Sequence, residues 1–233
     1  SPADEEEFPT DVHTVETKLS FTEEMKGFMT FGETDYRVGY EKGKEEDNSV
    51  MFHLTMNING VNRFVTHPDH DTDDLIGYVD APKFGGKCKV KKGWFNLFID
   101  AEDTSQKTML YRLFFFDKTG GALTLTGYKE IKDDPGFDLW SDTTTLFTQI
   151  LSGHVSAAEE KAMRATPSEL KTNLIASGII HIHFFDFLKQ LTTFDVEAPT
   201  LADRTSAMAR FGRLFMGKLW DVYAREVLIS GPL

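Results

Sequence analysis

The sequence predicts a mainly β protein of the α+β class, in which an antiparallel, barrel-like sheet of about eight strands precedes C-terminal helices. Three observations support this prediction. Short apolar runs follow one another between turn residues, as in a meandering antiparallel sheet. Aromatic side chains are abundant, with 20 Phe in 233 residues. A clear helical period appears only towards the C-terminus.

The first strand is predicted over residues 19–31, where Gly27 and Thr30 disfavour a helix. The Asn59-Gly60 turn predicts a β-hairpin between residues 51–56 and 62–66. Up-and-down sheets close to remove their edges, so we expect a lipocalin-like barrel. Its further strands are predicted at residues 75–79, 87–90, 95–99, 110–116 and 122–131.

Helices are predicted after the sheet. Ser156 begins a capping box, and Thr166-Pro167 is typical of a second helix N-terminus. Apolar residues at spacings of three and four predict a helix over residues 202–227.

Two segments are left undecided by the sequence. Residues 143–151 fit either a last strand or the start of a helix, and residues 179–184 fit either a strand or a buried segment. The predicted organisation is a flexible acidic N-terminus (1–15), a barrel-like domain (16–155) and a helical part packed on the barrel (156–233).

Composition limits the classes of partner. The net charge of −12 argues against nucleic acid and against anionic membrane surfaces, both of which require clustered basic residues. A single cysteine, Cys88, cannot form an internal disulfide. No run reaches the ~18 apolar residues of a transmembrane helix. No signal-peptide pattern is visible in a sequence that begins at Ser1, and the prediction is a cytoplasmic protein.

Two histidine groups are candidate metal ligands. Residues 67–74 hold two His, at His67 and His70, and four Asp, but their spacing matches neither a calcium loop nor a helical His pair. His181 and His183 lie on one side of a predicted strand and would need a third ligand from elsewhere. The favoured interpretations are a solvated loop for residues 67–74 and, for His181 and His183, a pair that faces solvent or is hydrogen-bonded to the backbone, so no metal site is predicted.

Asp138 and Asp142 flank Trp140 with alternating spacing and would face one cavity if the segment is extended. The favoured alternative is an acidic turn that caps the next segment. Arg112 lies in a strand with apolar residues on both faces, so it is predicted to be partly buried and to need a partner. The candidates are Asp100, Asp138, Asp142 or the polar end of a ligand, and a structural pair is favoured.

Several motifs of cofactor and nucleophile chemistry are absent from the sequence. It contains no Gly-x-Ser-x-Gly nucleophile elbow and no phosphate-cradling loop. It also lacks a Gly-x-Gly-x-x-Gly turn between a strand and a helix, which excludes a dinucleotide site of the usual kind. No cofactor is predicted.

Residues 21–27, 93–151, 186–194 and 210–223 resemble a region of long bacterial flavin oxidoreductases of the glucose–methanol–choline (GMC) family, of the cholesterol-oxidase type. The segments at 136–146 and 219–223 are the most specific. In those chains a flavin domain lies elsewhere, and some also carry an α/β-hydrolase domain. The flavin-binding glycines and the catalytic His of the family have no counterparts here. The resemblance therefore implies an accessory module beside enzymes that act on sterols or other apolar alcohols and esters.

The function expected from this reasoning is non-catalytic binding of a sterol- or lipid-like molecule, with a flavin oxidoreductase or hydrolase domain as partner. The alternatives are an enzyme that uses Asp and His residues at the barrel mouth, and a purely structural domain. In the binding hypothesis aromatic residues line an apolar cavity, and Arg112 or an Asp holds the polar end of the ligand. The candidate ligand-binding residues are Phe95, Phe98, Arg112, Phe114, Tyr128, Asp138, Trp140 and Asp142.

Overall fold

A computed structural model describes residues 17–67, 70–99, 102, 106–132, 144–182 and 195–216. Its strands form a closed, eight-stranded antiparallel barrel, which confirms the predicted mainly β fold class. In barrel order these strands are β1 (Lys18–Phe31), β2 (Ser49–Ile58), β4 (Leu75–Ala81), β5 (Gly86–Ile99), β6 (Gln106–Phe116), β7 (Ala122–Lys132), β8 (Thr145–Ser152) and β9 (Leu174–His181).

Two short strands, five α-helices and a 3-10 helix at Pro82–Phe84 complete the described part of the chain. Strand β3 (Asp71–Thr72) pairs with β5, and β10 (Asp195–Glu197) pairs with the start of β1. None of the described helices is long and apolar enough to cross a membrane. The helices are α1 (Tyr36–Glu45), α2 (Val61–Thr66), α3 (Ala157–Ala165), α4 (Pro167–Asn173) and α5 (Leu201–Met216).

The barrel closes between its first and last strands. The second half of β1 pairs with β9, from Lys26 opposite His181 to Phe31 opposite Ala176. Strand β9 also pairs with β8, so every barrel strand has two neighbours. The barrel therefore extends beyond residue 155, where the sequence places its boundary, and β9 lies within the part predicted to be helical. Both segments left open by the sequence overlap barrel strands, since residues 143–151 include most of β8 and residues 179–181 form the end of β9.

The barrel interior is filled by aromatic and aliphatic side chains. Phe52, Phe95 and Tyr111 are fully buried, and the rings of Phe52 and Phe95 lie 5.7 and 5.2 Å from that of Tyr111. Helix α5 adds Phe211, whose ring lies 5.4 Å from Phe21 of β1. This packing arises because inward side chains alternate with outward ones along each strand.

The predicted hairpin is wrong. The segment after Gly60 is helix α2 and not a strand, and β2 pairs with β1 and β4. Val61 and Phe64 are one helical turn apart and both are buried, at 1% and 4% exposure. A helix brings both side chains to the core, whereas a strand would point them to opposite faces.

Helix α1 was not predicted from the sequence. Asp35 caps it by accepting hydrogen bonds from the backbone N–H groups of Arg37 and Val38. Gly39 and Gly43 form the face that packs on the barrel. A Cβ atom at Gly39 would lie 2.1 Å from the carbonyl oxygen of Ser177, so only glycine permits this close approach.

The helix start signals at Ser156 and Pro167 are confirmed. The Ser156 hydroxyl accepts a hydrogen bond from the Glu159 N–H, and Pro167 occupies the first turn of α4. Helix α5 confirms the predicted C-terminal helix over its described residues. The predictions for residues 1–15 and for Asp100 and His183 lie outside the described residues.

Candidate functional site

A groove of about 720 Å³ lies on the outer face of β5 and β6, beneath the start of helix α3. We call it the outer groove. Its lining combines aromatic and aliphatic side chains with a few charged groups. The lining residues are Lys92, Trp94, Asn96, Phe98, Leu110, Tyr111, Arg112, Phe114, Thr126, Ser156, Ala157 and Glu160.

The strand period explains which side chains meet in the groove. Side chains of one parity in each strand point away from the barrel interior. The antiparallel register places Trp94 opposite Arg112, and Arg112 opposite Thr126 of β7. The outward residues of the groove are Trp94, Asn96 and Phe98 in β5 and Leu110, Arg112 and Phe114 in β6.

The apolar wall of the groove is partly open to solvent. The indole of Trp94 meets the Phe114 ring edge-on at a centroid distance of 4.8 Å, and His154 stacks on Phe114 at 4.7 Å. Phe98 and Leu110 remain 39% and 38% exposed. Apolar side chains gathered in a concave, accessible surface are typical of a ligand-binding site.

An ion-pair network forms the opposite wall. Arg112 donates to the carbonyl oxygen of Val155 at 2.8 Å, and its Nη2 lies 3.1 Å from Oε1 of Glu160. Arg164 donates to Oε2 of Glu160 at 2.9 Å and to Gln149 at 2.8 Å. Arg112 is therefore the partly buried, paired residue that the sequence indicates, and its described partner is Glu160 of α3.

The pKa of Glu160 reflects this network. Burial alone would raise it, but hydrogen bonds from Arg164 and Thr126 and the charges of Arg112 and Arg164 lower it below its ordinary value. Glu160 is thus ionised at neutral pH and holds α3 against the sheet.

A second polar cluster, which sequence reasoning missed, lies inside the barrel. The Tyr111 hydroxyl donates to both carboxylate oxygens of Glu23, at 3.1 and 2.9 Å, and Nζ of Lys129 lies 3.6 Å from Glu23 Oε1. Burial raises the pKa of Tyr111 and lowers that of Lys129. The alternation of side chains along β1 could have revealed this cluster from the sequence. Glu23 lies on the same inward face of the strand as the apolar residues Phe21 and Met25.

The candidate metal ligands do not assemble into a cluster in the described part of the chain, where no group of three or more His, Cys, Asp or Glu side chains has suitable geometry. His67 and Asp71 approach each other at 3.8 Å. His70 is buried, and its Nδ1 is hydrogen-bonded to the Phe64 carbonyl. The ring of His181 packs against Tyr40.

The structure divides the predicted ligand-binding residues among three places. Phe98, Arg112 and Phe114 come together in the outer groove. Phe95 is fully buried in the barrel interior. Tyr128 faces outward, in an aromatic cluster with Tyr36 and Phe147. The other predicted site residues, Asp138, Trp140 and Asp142, lie outside the described residues.

Comparison with protein-family models, with curated proteins and with solved structures finds no significant match. The resemblance to chains of the GMC family therefore stays a hypothesis.

Proposed function

We propose that the protein is a non-catalytic binding module for an amphiphilic, sterol- or lipid-like molecule, and that the outer groove holds this ligand. The observation that carries the proposal is the groove itself, in which partly exposed apolar side chains face an Arg112–Glu160 ion pair. Its volume of about 720 Å³ falls in the range that is usual for small-ligand sites.

The aromatic wall supports an apolar ligand body. Phe98 and Leu110 bury more surface when a ligand covers them, and each buried Å² of apolar area contributes about 25 cal/mol. The site proposed here is on the outer surface of the barrel, because large side chains such as Phe52 and Tyr111 occupy its interior.

The proposed partner is a GMC-type flavin oxidoreductase or a hydrolase domain that would receive the ligand. This part of the proposal rests on the sequence resemblance alone. The open side of the groove is compatible with transfer, since Phe98 and Leu110 are accessible without movement of the barrel.

The test is binding of labelled cholesterol and labelled dodecanoate to the purified chain and to a Phe98→Ser/Leu110→Ser variant. Both side chains are over one-third exposed, so we expect the variant to fold. It should bind at least one of the two probes about tenfold more weakly than the wild type, because two apolar contacts are lost.

The matched control is Ile76→Ser, which removes an apolar side chain that is 59% exposed and outside the groove lining. This variant should bind like the wild type. If neither probe binds to the wild type, or if Ile76→Ser weakens binding as much as the groove variant does, the proposed function is rejected.

A further inference from the structure

We infer that the ligand of the outer groove is an anionic amphiphile, and that the ammonium group of Lys92 binds its carboxylate or phosphate head. This inference rests on the proposed function and names the chemical class of its ligand. It differs from the sequence-based expectation, in which Arg112 or an Asp contacts the polar end.

Arg112 is already engaged by the protein. One guanidinium nitrogen donates to the Val155 carbonyl at 2.8 Å, and another lies 3.1 Å from Glu160. Glu160 in turn also accepts from Arg164. An incoming anion would have to displace a carboxylate that is only 14% exposed, which is unfavourable in a partly buried pair.

Lys92 is differently placed. Its side chain is exposed at the rim of the groove, and its Nζ lies 4.9 Å from the centre of the Trp94 ring. The ion pairs of the described residues do not include Lys92. A lysine held over an aromatic face beside an apolar groove can bind an anionic head while the tail covers the aromatic wall.

The local charge favours an anion even though the chain carries a net charge of −12. The groove lining contains two cations, Lys92 and Arg112, and one anion, Glu160. A β-bulge between Val90 and Lys92 exposes two consecutive lysines, Lys91 and Lys92. Exposed Lys87 and Lys89 extend the basic stripe along β5.

Two acidic residues outside the ion-pair network share a second cavity with Trp94. Asp71 and Asp73 line a separate cavity of about 350 Å³, which shares only Trp94 with the outer groove. Among the described residues that line the outer groove, the single carboxylate, Glu160, is already paired with Arg112 and Arg164, whereas Lys92 at the rim forms no ion pair.

The experiment compares three probes with the same twelve-carbon chain, dodecanoate, dodecanol and dodecyltrimethylammonium, by displacement of a fluorescent fatty acid. Dodecanoate should bind about tenfold more tightly than dodecanol, the difference expected for a hydrogen bond to a charged group. Lys92→Gln should weaken dodecanoate binding about tenfold and so remove this preference. Lys89→Gln is the matched control, because Lys89 is exposed on the same strand but does not line the groove.

A free fatty acid and the headgroup of an anionic lipid share this chemistry. Sedimentation with phosphatidylcholine vesicles, with and without phosphatidylglycerol, separates the two sources. Binding to the anionic vesicles that Lys92→Gln abolishes points to a bilayer lipid, and dodecanoate binding without vesicle binding points to a monomeric ligand. The first result supports the role of Lys92 directly, and the second supports it when Lys92→Gln also removes the preference for dodecanoate over dodecanol.

Equal affinity for dodecanoate and dodecanol, or an unchanged preference in Lys92→Gln, would overturn the inference and leave the proposed function intact. The absence of binding by all three probes, together with the absence of cholesterol binding, would reject the proposed function as well.

Discussion

Glu23 and Lys129 place opposite charges in the interior of an aromatic barrel, where both residues are at most 3% exposed. Nζ of Lys129 lies 3.6 Å from Oε1 of Glu23, and Tyr111 donates hydrogen bonds to the carboxylate. These contacts offset part of the free-energy cost of burying the two charges. Desolvation of buried charges is expensive, so such a pair is weak evidence of added stability. Removing one partner alone, however, leaves an uncompensated buried charge.

We predict that Lys129→Met lowers the free energy of unfolding by about 3 kcal/mol, because it leaves the Glu23 carboxylate without its cation. The double variant Glu23→Gln/Lys129→Met should recover most of this loss, since a neutral amide still accepts the hydrogen bond from Tyr111. Denaturant unfolding of both variants measures the difference. Equal destabilisation by the single and double changes would contradict the prediction.

The same pair gives a pH signature. Burial lowers the pKa of folded Lys129 below 10.5, so on the alkaline side the unfolded chain binds this proton more tightly. The unfolding free energy should therefore rise with pH until about pH 10. Above that value the raised pKa of Tyr111 reverses the slope, since the unfolded phenol ionises first. Lys129→Met should lack the rising part.

Residue-scale prediction of the site was partly possible. Phe98, Arg112 and Phe114 lie together because each points outward from its strand. The same parity rule separates Phe95 from Phe98, since three positions apart in a strand means opposite faces. Glu160 could not be predicted as the partner of Arg112, because the contact depends on how α3 docks on the sheet.

At the scale of elements, helix α1 shows how close packing can use glycine. Gly39 and Gly43 are both buried and bring the helix backbone against the carbonyl oxygens of Ser177 in β9 and Met29 in β1. An exposed helix would gain about 1 kcal/mol from alanine at such positions. At Gly39 and Gly43 a methyl group has no space, so replacing glycine by alanine is expected to destabilise the protein.

We predict that Gly39→Ala lowers the free energy of unfolding by about 2 kcal/mol, because its Cβ would lie 2.1 Å from a backbone oxygen and force α1 away from the barrel. Glu41→Ala, at an exposed position of the same helix, should change stability by less than about 0.5 kcal/mol. Thermal or denaturant unfolding of the two variants provides the measurement. A stabilising Gly39→Ala would show that α1 does not pack as described.

The elements that were predicted poorly share a physical reason. Helices α1 and α2 are short and contain or follow glycine, so their intrinsic helix signal is weak. Tertiary contacts fix them, through Gly39 in α1 and through buried Val61 and Phe64 in α2. Strands β6 and β7 were predictable because their aromatic and β-branched residues extend over many positions. Strand β5 was predicted as two strands, at residues 87–90 and 95–99, which the structure joins into one.

For the molecule as a whole, the net charge does not predict the local charge of each part of the surface. A net charge of −12 coexists with a row of exposed lysines along β5. The net charge therefore does not exclude an anionic ligand at this surface, because the electrostatic potential near a groove depends on the charges that line it.

The barrel also crosses the domain boundary that the sequence suggests. We predict that a chain of residues 16–155 lacks a cooperative unfolding transition, because without β9 the six paired positions of β1 and seven of β8 lose their partners. A chain of residues 16–216 contains every described element and should unfold cooperatively. Near-ultraviolet circular dichroism during denaturation distinguishes the two. Matching transitions would mean that the barrel is complete without β9.

The contact between β1 and β9 also has a consequence for the order of folding. Strand β1 ends at Phe31, and the partner that closes the barrel begins at Leu174. During synthesis on the ribosome, this pairing cannot form until most of the described chain has been made. Such non-local pairing makes folding slow, and the unpaired edges of β1 and β8 are exposed to aggregation in the interval. The pairing of β1 with β9 protects the strand edges of the folded barrel, but the nascent chain keeps those edges exposed until β9 has been synthesised.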